Sequence, residues 1–149
     1  MRDLHLEGTY VIKAPRKKVF DFVSNPKSVS RCLPDLQSLE ILSKDSFKAT
    51  VKVGIGFVKG AFNFDVNLLE KTPPSHAKLK AHGSGSGSVI DLDTSIDLAD
   101  NPDGGTKLTW TAEAMIGGLL AGVGQRLIGT ASEKQVSQLF DCIKKNLER

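Results

Sequence analysis

The fold is decided by residues 117–128, which read GGLLAGVGQRLI. They follow a strand-like run that ends at Ile116, and they open the last, long helical pattern of the chain. A series of strands closed by one long helix is typical of a curved sheet that grips a helix. Glycines in the interior of a helix each cost about 1 kcal/mol relative to Ala. The glycines in this stretch therefore predict close backbone packing, a bend or space for a ligand, unless Gly117 and Gly118 only turn the strand into the helix.

Composition restricts the class of protein. A chain of 149 residues is most simply a single domain over 1–149, and it is long enough to bury a core without staples. The net charge is only +3, and no dense run of Lys and Arg alternates with aromatic residues, which argues against a nucleic-acid partner. The N-terminus has no apolar signal core, and the longest uncharged run, residues 114–125, is too short to span a bilayer. We therefore expect a cytoplasmic protein.

Alternation of apolar and polar residues predicts a sheet of about seven antiparallel strands. Such clean period-two patterns indicate one buried face and one face in water. The predicted strands cover residues 4–13, 39–41, 47–55, 62–68, 77–82, 90–98 and 107–116. The glycine- and serine-rich residues 83–88 lie between two of these strands and are predicted to be a mobile hairpin turn rather than a domain linker.

Helical patterns occur in two places. Pro15 suits the first position of a helix, Asn25 and Pro26 end that helix, and a second short helix is predicted over residues 27–32. The long C-terminal helix is predicted from Leu119. Its apolar face would begin with Leu120, Val123, Leu127 and Ala131. The order predicts an α+β fold, a curved antiparallel sheet wrapped on a long C-terminal helix, with two short helices after the first strand.

No catalytic or metal-binding constellation is found in the sequence. The acidic residues of the strands alternate with the apolar stripes and so face solvent, and the three histidines occupy exposed strand or turn positions. Cys32 and Cys142 lie far apart, and neither has the spacing of a zinc site. Reduced thiols are the default expectation, with a single disulfide left open. We predict no catalytic residues, no metal and no tightly held cofactor.

The inward face of the predicted sheet mixes large apolar residues with small ones, and few polar groups point inward, namely Tyr10, Thr94 and Gln125. Small residues on both walls predict an apolar cavity for a lipophilic ligand. The alternative is tight packing between sheet and helix with no cavity. The predicted ligand-binding residues are Val53, Ile55, Phe62, Phe64, Leu92, Thr94, Trp110, Ala112, Leu120, Val123, Gly124 and Leu127.

An ordered set of short motifs resembles the family of the carbon monoxide dehydrogenase subunit CoxG, within the START-like, pollen-allergen-like helix-grip (SRPBCC) superfamily. The resemblance covers nearly the whole chain. One departure is Asp35, where the family often has Gly after the proline. The motifs are residues 14–22, 25–26, 31–34, 51–54, 69–70, 105–110, 117–121 and 124–128.

The superfamily resemblance implies a helix-grip fold with a hydrophobic pocket between the sheet and the C-terminal helix. The family resemblance implies an accessory role beside a molybdenum-containing, carbon monoxide dehydrogenase-type hydroxylase. It further implies recruitment of that enzyme to the membrane, handling of a quinone-like electron acceptor or another lipid, and peripheral contact with the inner face of the membrane. No catalytic residue carries over. Three functions remain open: a non-enzymatic binding protein for a lipophilic ligand, a polyketide cyclase or dehydratase of the same fold, and an adaptor with a filled core.

Overall fold

Seven antiparallel strands form one sheet in the computed structural model, which describes residues 2–148. The strand order across the sheet is β1-β7-β6-β5-β4-β3-β2, so the first strand lies beside the last. The strands are β1 Arg2–Ile12, β2 Leu36–Ser43, β3 Ser46–Ile55, β4 Val58–Thr72, β5 His76–Gly85, β6 Ser88–Asp100 and β7 Thr106–Gly118. The predicted antiparallel sheet of about seven strands is confirmed.

The two short helices carry the chain from β1, at one edge of the sheet, to β2 at the other. Helix α1 (Arg16–Val23) begins directly after Pro15, and α2 (Pro26–Val29) is capped by Asn25, whose Oδ1 accepts a hydrogen bond from the Lys27 amide at 2.9 Å. The predicted second helix over residues 27–32 divides in the structure into α2 and a 3₁₀ turn, Ser30–Cys32.

Helix α3 (Gln125–Leu147) starts six residues later than the sequence pattern predicts. Gly117 and Gly118 end β7, residues 119–122 form a 3₁₀ turn, and Gly124 precedes the first turn of α3. Gly118 has φ of +77°, in the left-handed region, and a Cβ built on it would lie 2.2 Å from the Gly87 carbonyl oxygen. These glycines therefore serve the strand end and the loop, and the prediction that they lie within the helix is wrong.

The glycine- and serine-rich segment is mostly strand. β5 continues to Gly85 and β6 begins at Ser88, which leaves a turn of only two residues. The ring of Phe64 lies on Gly83, where a built Cβ would be 2.3 Å from Phe64 Cε1. The prediction of a mobile turn over residues 83–88 is therefore wrong for most of its length, because Gly83 and Gly85 are needed where other groups approach the strand closely.

Two separate buried clusters hold the sheet and helices together. The first lies at the end of the sheet near α1 and the C-terminal half of α3, and the second lies near the start of α3. The first cluster comprises Ile12, Ala14, Val19, Phe20, Val23, Cys32, Ala77, Leu98, Leu108, Phe140, Ile143 and Leu147. The second cluster comprises Val53, Val58, Phe62, Ala114, Ile116, Leu120, Val123 and Ile128.

Cys32 and Cys142 form a disulfide, with Cα atoms 5.4 Å apart. It ties the 3₁₀ turn after α2 to the C-terminal half of α3. The default expectation of reduced thiols is wrong in this structure, because α3 returns beside that turn and brings together residues 110 positions apart in sequence.

No helix within residues 2–148 is both long and apolar enough to cross a membrane.

Candidate functional site

The candidate site is the middle of the inner face of the sheet, between the two clusters. One row across the strands is set by the register, in which Ala112 pairs with Leu6 on one side and with Thr94 on the other, and Thr94 pairs with Leu79. In the next row Leu92 pairs with both Ala81 and Ala114. Small side chains therefore alternate with leucines at the centre of the concave face.

Ala81 and Ala112 are buried, yet they belong to neither cluster. Their neighbours Leu79, Leu92 and Thr94 are only partly buried, although they point toward α3. The backbone of α3 approaches β1 and the 3₁₀ turn after α2 most closely, and it also approaches α1 and β3, the latter toward the opposite side of the sheet from β1. The helix thus bridges the concave face, and the apolar centre below it is the surface that a lipophilic ligand would cover.

The structure distributes the predicted ligand-binding residues over four environments. Val53, Phe62, Leu120 and Val123 are buried in the second cluster, and Ile55, Phe64 and Leu92 pack against it. Trp110 packs against the first cluster. Ala112 and Thr94 lie between the clusters. Gly124 and Leu127 are exposed at the start of α3, away from the inner face.

The predicted inward position of Leu127 is wrong, since 55% of it is exposed, whereas Ile128 is 3% exposed. The late start of α3 changes which side of the helix meets the sheet. Ile128, which the predicted helical stripe omits, takes the inward position. Gln125 is also exposed, and its Nε2 donates to the Asp3 carbonyl oxygen at 3.4 Å rather than pointing toward the centre of the inner face.

Two aromatic rings lie flat against the inner face because glycines lie beneath them. Phe64 lies across Gly83, and the indole of Trp110 lies across Gly8, where a built Cβ would be 2.8 Å from Nε1. Trp110 Nε1 is buried without a hydrogen-bond partner.

Tyr10 packs against the first cluster rather than facing the centre of the inner face. Its ring stacks on Phe140, with centroids 4.1 Å apart and planes 14° apart. Burial raises the pKa of Tyr10 above its ordinary value, and the charge of Asp141 adds to that shift. The Tyr10 hydroxyl therefore stays protonated at neutral pH. Because Tyr10 packs on Phe140, Thr94 is the residue that presents a hydroxyl group at the centre of the inner face.

The loop that leads into β2 has the conformation that a glycine would adopt. Asp35 has φ of +56°, in the left-handed region, and its carbonyl oxygen accepts a hydrogen bond from the Lys52 amide at 3.0 Å. Asp is among the few residues that tolerate this region. The departure from the family pattern at Asp35 therefore leaves the glycine-like shape of the loop in place.

Comparison with known proteins agrees with this architecture. Residues 8–148 match the family of the carbon monoxide dehydrogenase subunit CoxG. The chain belongs to this family. A search of curated proteins found no match.

Several solved structures have the same fold as this CoxG-family chain. A conserved protein from Geobacillus kaustophilus is 31% identical, with a TM-score of 0.90 over 97% of this chain and 95% of that one. A START superfamily protein from Mycobacterium smegmatis is 10% identical, with a TM-score of 0.75 over 97% of each chain. The Zhui aromatase/cyclase from Streptomyces sp. R1128 is 12% identical, with a TM-score of 0.71 over 99% of this chain and 95% of that one. The last two, at 10% and 12% identity, show the START-like helix-grip fold alone.

Two surface clefts of the CoxG-family chain lie away from the inner face. The larger has a volume of about 560 Å³ and lies between the α1–α2 junction and the β2–β3 hairpin, and the smaller has about 240 Å³. No predicted ligand-binding residue lines either cleft. The larger is lined by Asp21, Ser24, Asn25, Pro26, Lys27, Ile41, Ser43, Lys44 and Lys71.

The outer face of the sheet carries the histidines and many of the acids, as predicted, and each histidine contacts a carboxylate on a neighbouring strand. His76 Nδ1 lies 2.7 Å from Asp97 Oδ1, His82 Nδ1 lies 2.6 Å from Asp91 Oδ1, and His5 Nδ1 contacts Glu113. Within residues 2–148 no three His, Cys, Asp or Glu side chains come together as a metal site. These pairs support strand pairing and lie on the opposite side of the sheet from the candidate site.

His5 supplies a pH-dependent test of this outer-face pairing. The hydrogen bond to Glu113 raises the pKa of His5 above its ordinary 6.5, and burial opposes it only in part. A raised folded-state pKa stabilises the fold below pH 6.5, and this contribution is lost as the pH rises through the folded pKa. We expect an NMR titration midpoint for His5 above 6.5, with Glu113→Gln lowering it more than Glu7→Gln. A wild-type midpoint at or below 6.5 would contradict the pairing.

Proposed function

We propose that the protein is a non-enzymatic carrier that holds a lipophilic ligand, such as a quinone, between α3 and the centre of the sheet. The observation that carries this proposal is the gap between the two buried clusters. There Ala81, Ala112 and Thr94 face the helix, and partly exposed Leu79 and Leu92 surround them. An elongated apolar molecule would cover these side chains and remove their surface from water.

The chemistry of the inner face suits an uncharged ligand. The inward positions of β1 and of β3 to β7 that surround the gap carry apolar side chains, and Tyr10 and Thr94 are their hydroxyl-bearing members. A ligand with a long apolar part and one or two carbonyl oxygens, as in a quinone, needs little more than one hydrogen-bond donor for orientation. Thr94 supplies such a donor at the centre of the gap.

The family match supports an accessory role beside a redox enzyme. The family takes its description from a subunit of carbon monoxide dehydrogenase, and a quinone carrier would accept or return electrons for an enzyme of that kind. We propose that the partner is a molybdenum-containing, carbon monoxide dehydrogenase-type hydroxylase. We also propose that the protein takes its ligand from a membrane, which it contacts peripherally.

A cyclase or dehydratase of the same fold is the alternative, since the Zhui aromatase/cyclase shares the fold. Such an enzyme needs a positioned acid or base beside its substrate. Here the histidines and their carboxylate partners face outward, and Tyr10 is stacked in the first cluster. The site geometry therefore favours binding over catalysis.

Native mass spectrometry after incubation with a membrane lipid extract tests the carrier function. We expect one added mass per chain, released on denaturation and identified as a quinone or another lipid. A chain that adds no mass across quinones, lipids and sterols would contradict the carrier and favour the adaptor with a filled core.

A further inference from the structure

Three exposed apolar side chains occupy one end of the molecule. Phe57 is 66% exposed, Leu119 is 57% exposed and Leu127 is 55% exposed. They come from the β3–β4 turn, the 3₁₀ turn after β7 and the first turn of α3. We call these three residues the apolar tip.

The tip is one continuous surface, because glycines let its parts touch. A Cβ built on Gly122 would lie 3.8 Å from Phe57 Cζ, and one built on Gly56 would lie 3.8 Å from Leu127 Cδ1. A Cβ built on Gly87 would lie 3.0 Å from Leu119 Cδ1. The β5–β6 turn therefore joins the other turns beneath the tip.

Hydrogen bonds fix the turns to one another. The Leu119 amide donates to the Gly87 carbonyl oxygen at 3.0 Å, and Ser86 Oγ donates to the Lys59 carbonyl oxygen at 2.9 Å. The tip is thus a built surface whose apolar side chains are held outward, and burying them elsewhere in the same chain would break these bonds.

The charged side chains within the segments that form the tip are positive. Residues 53–60, 84–90 and 114–128 contain no Asp or Glu, and their charged residues are Lys59 and Arg126, both exposed. The acids nearest in register are Asp3 on β1 and Asp91 on β6, which both pair with Met115 on β7. Apolar side chains flanked by cations are typical of surfaces that enter the headgroup region of an anionic bilayer.

We propose that the apolar tip is a membrane-docking surface that inserts Phe57, Leu119 and Leu127 into an anionic lipid bilayer, with Lys59 and Arg126 at the phosphate level. The proposal rests on the carrier function, since it supplies the route by which a lipophilic ligand leaves the membrane. Leu119 is exposed in the tip, while its neighbour Leu120 is 1% exposed in the second cluster. Contact at the tip therefore adjoins the end of the inner face.

Flotation of the full chain with vesicles tests the docking surface. We expect binding to vesicles of phosphatidylcholine and phosphatidylglycerol at 3:1, and weaker binding to phosphatidylcholine alone. Each of Phe57→Ser, Leu119→Ser and Leu127→Ser should weaken binding by about tenfold or more, because a large apolar side chain loses its place in the bilayer. Lys59→Gln and Arg126→Gln should weaken binding only to the anionic vesicles.

Leu42→Ser and Leu69→Ser are matched controls, because these leucines are 53% and 60% exposed but belong to β2 and β4 away from the tip. They should leave flotation unchanged. Tip variants that float like the wild type would overturn the docking surface, as would a wild type that fails to float. So would a tip that self-associates without vesicles or binds a protein partner instead.

Ligand binding measured without vesicles separates this proposal from the carrier function. The tip variants should take up a quinone presented in dilute detergent with wild-type affinity. A wild type that floats but takes up no quinone would contradict the carrier and leave the docking surface standing, whereas uptake without flotation would do the reverse.

Discussion

Replacing Ala112 by Phe is expected to weaken ligand binding by about 100-fold or more, which corresponds to roughly 2.8 kcal/mol. Ala112 is only 7% exposed, faces α3 between Leu6 and Thr94, and lies outside both buried clusters. A benzyl group at this position would occupy the volume that we assign to the ligand. Binding is measured by native mass spectrometry and by titration with a quinone in dilute detergent.

The stability of the same variant distinguishes a cavity from a filled core. If the centre of the inner face is open, the new ring buries apolar surface without strain, and the free energy of unfolding stays equal or rises. If the centre is already packed, inserting a ring forces side chains off their rotamers and costs about 1–3 kcal/mol. Ala112→Phe that lowers stability by this amount would therefore support the adaptor with a filled core.

Ala99→Phe is the matched control, because Ala99 is exposed on β6 and pairs with Lys107 on the other side of the sheet from the ligand. It should change neither ligand binding nor the free energy of unfolding appreciably. Equal binding by Ala112→Phe and the wild type would remove the ligand from the centre of the inner face, even if the chain binds a ligand elsewhere.

The sheet can be predicted from the sequence because its physics is local. Each strand alternates between a wet and a buried face, so the pattern predicts Leu92 and Leu108 inward and Asp93 and Lys107 outward, and the structure agrees. The same alternation locates the inner face on which the ligand is proposed to lie. The alternation carries no information on the distance between the sheet and α3, because that distance depends on where α3 crosses the sheet.

The start of α3 could not be predicted by the same means. Residues 119–124 are uncharged and mostly apolar, so their pattern continues that of the helix, but Gly118 adopts a left-handed conformation and Gly124 remains extended, with ψ of 148°. Because α3 starts later than the pattern predicts, a different side of the helix faces the sheet. Leu127 is thus part of the apolar tip, and Ile128 is part of the core.

Removing the disulfide is expected to lower the free energy of unfolding by about 4–5 kcal/mol, the chain-entropy value for a closed loop of this size. The bond closes a loop between residues 110 positions apart, so the unfolded chain gains much freedom when it is absent. For a domain of this length the loss corresponds to a fall in Tm of roughly 10–15 °C.

Cys32→Ala with Cys142→Ala is the variant for this test, since it leaves no unpaired thiol. The native contacts beside the bond should persist, because Phe140, Ile143 and Leu147 remain packed in the first cluster and Asn146 Nδ2 still donates to the Cys142 carbonyl oxygen at 2.8 Å. The loss therefore comes from the unfolded state, and the variant should keep the wild-type circular dichroism spectrum and ligand affinity. Wild-type protein treated with a reductant should melt at the temperature of the double variant. A double variant with the Tm of the oxidised wild type would show that the crosslink does not restrict the unfolded chain.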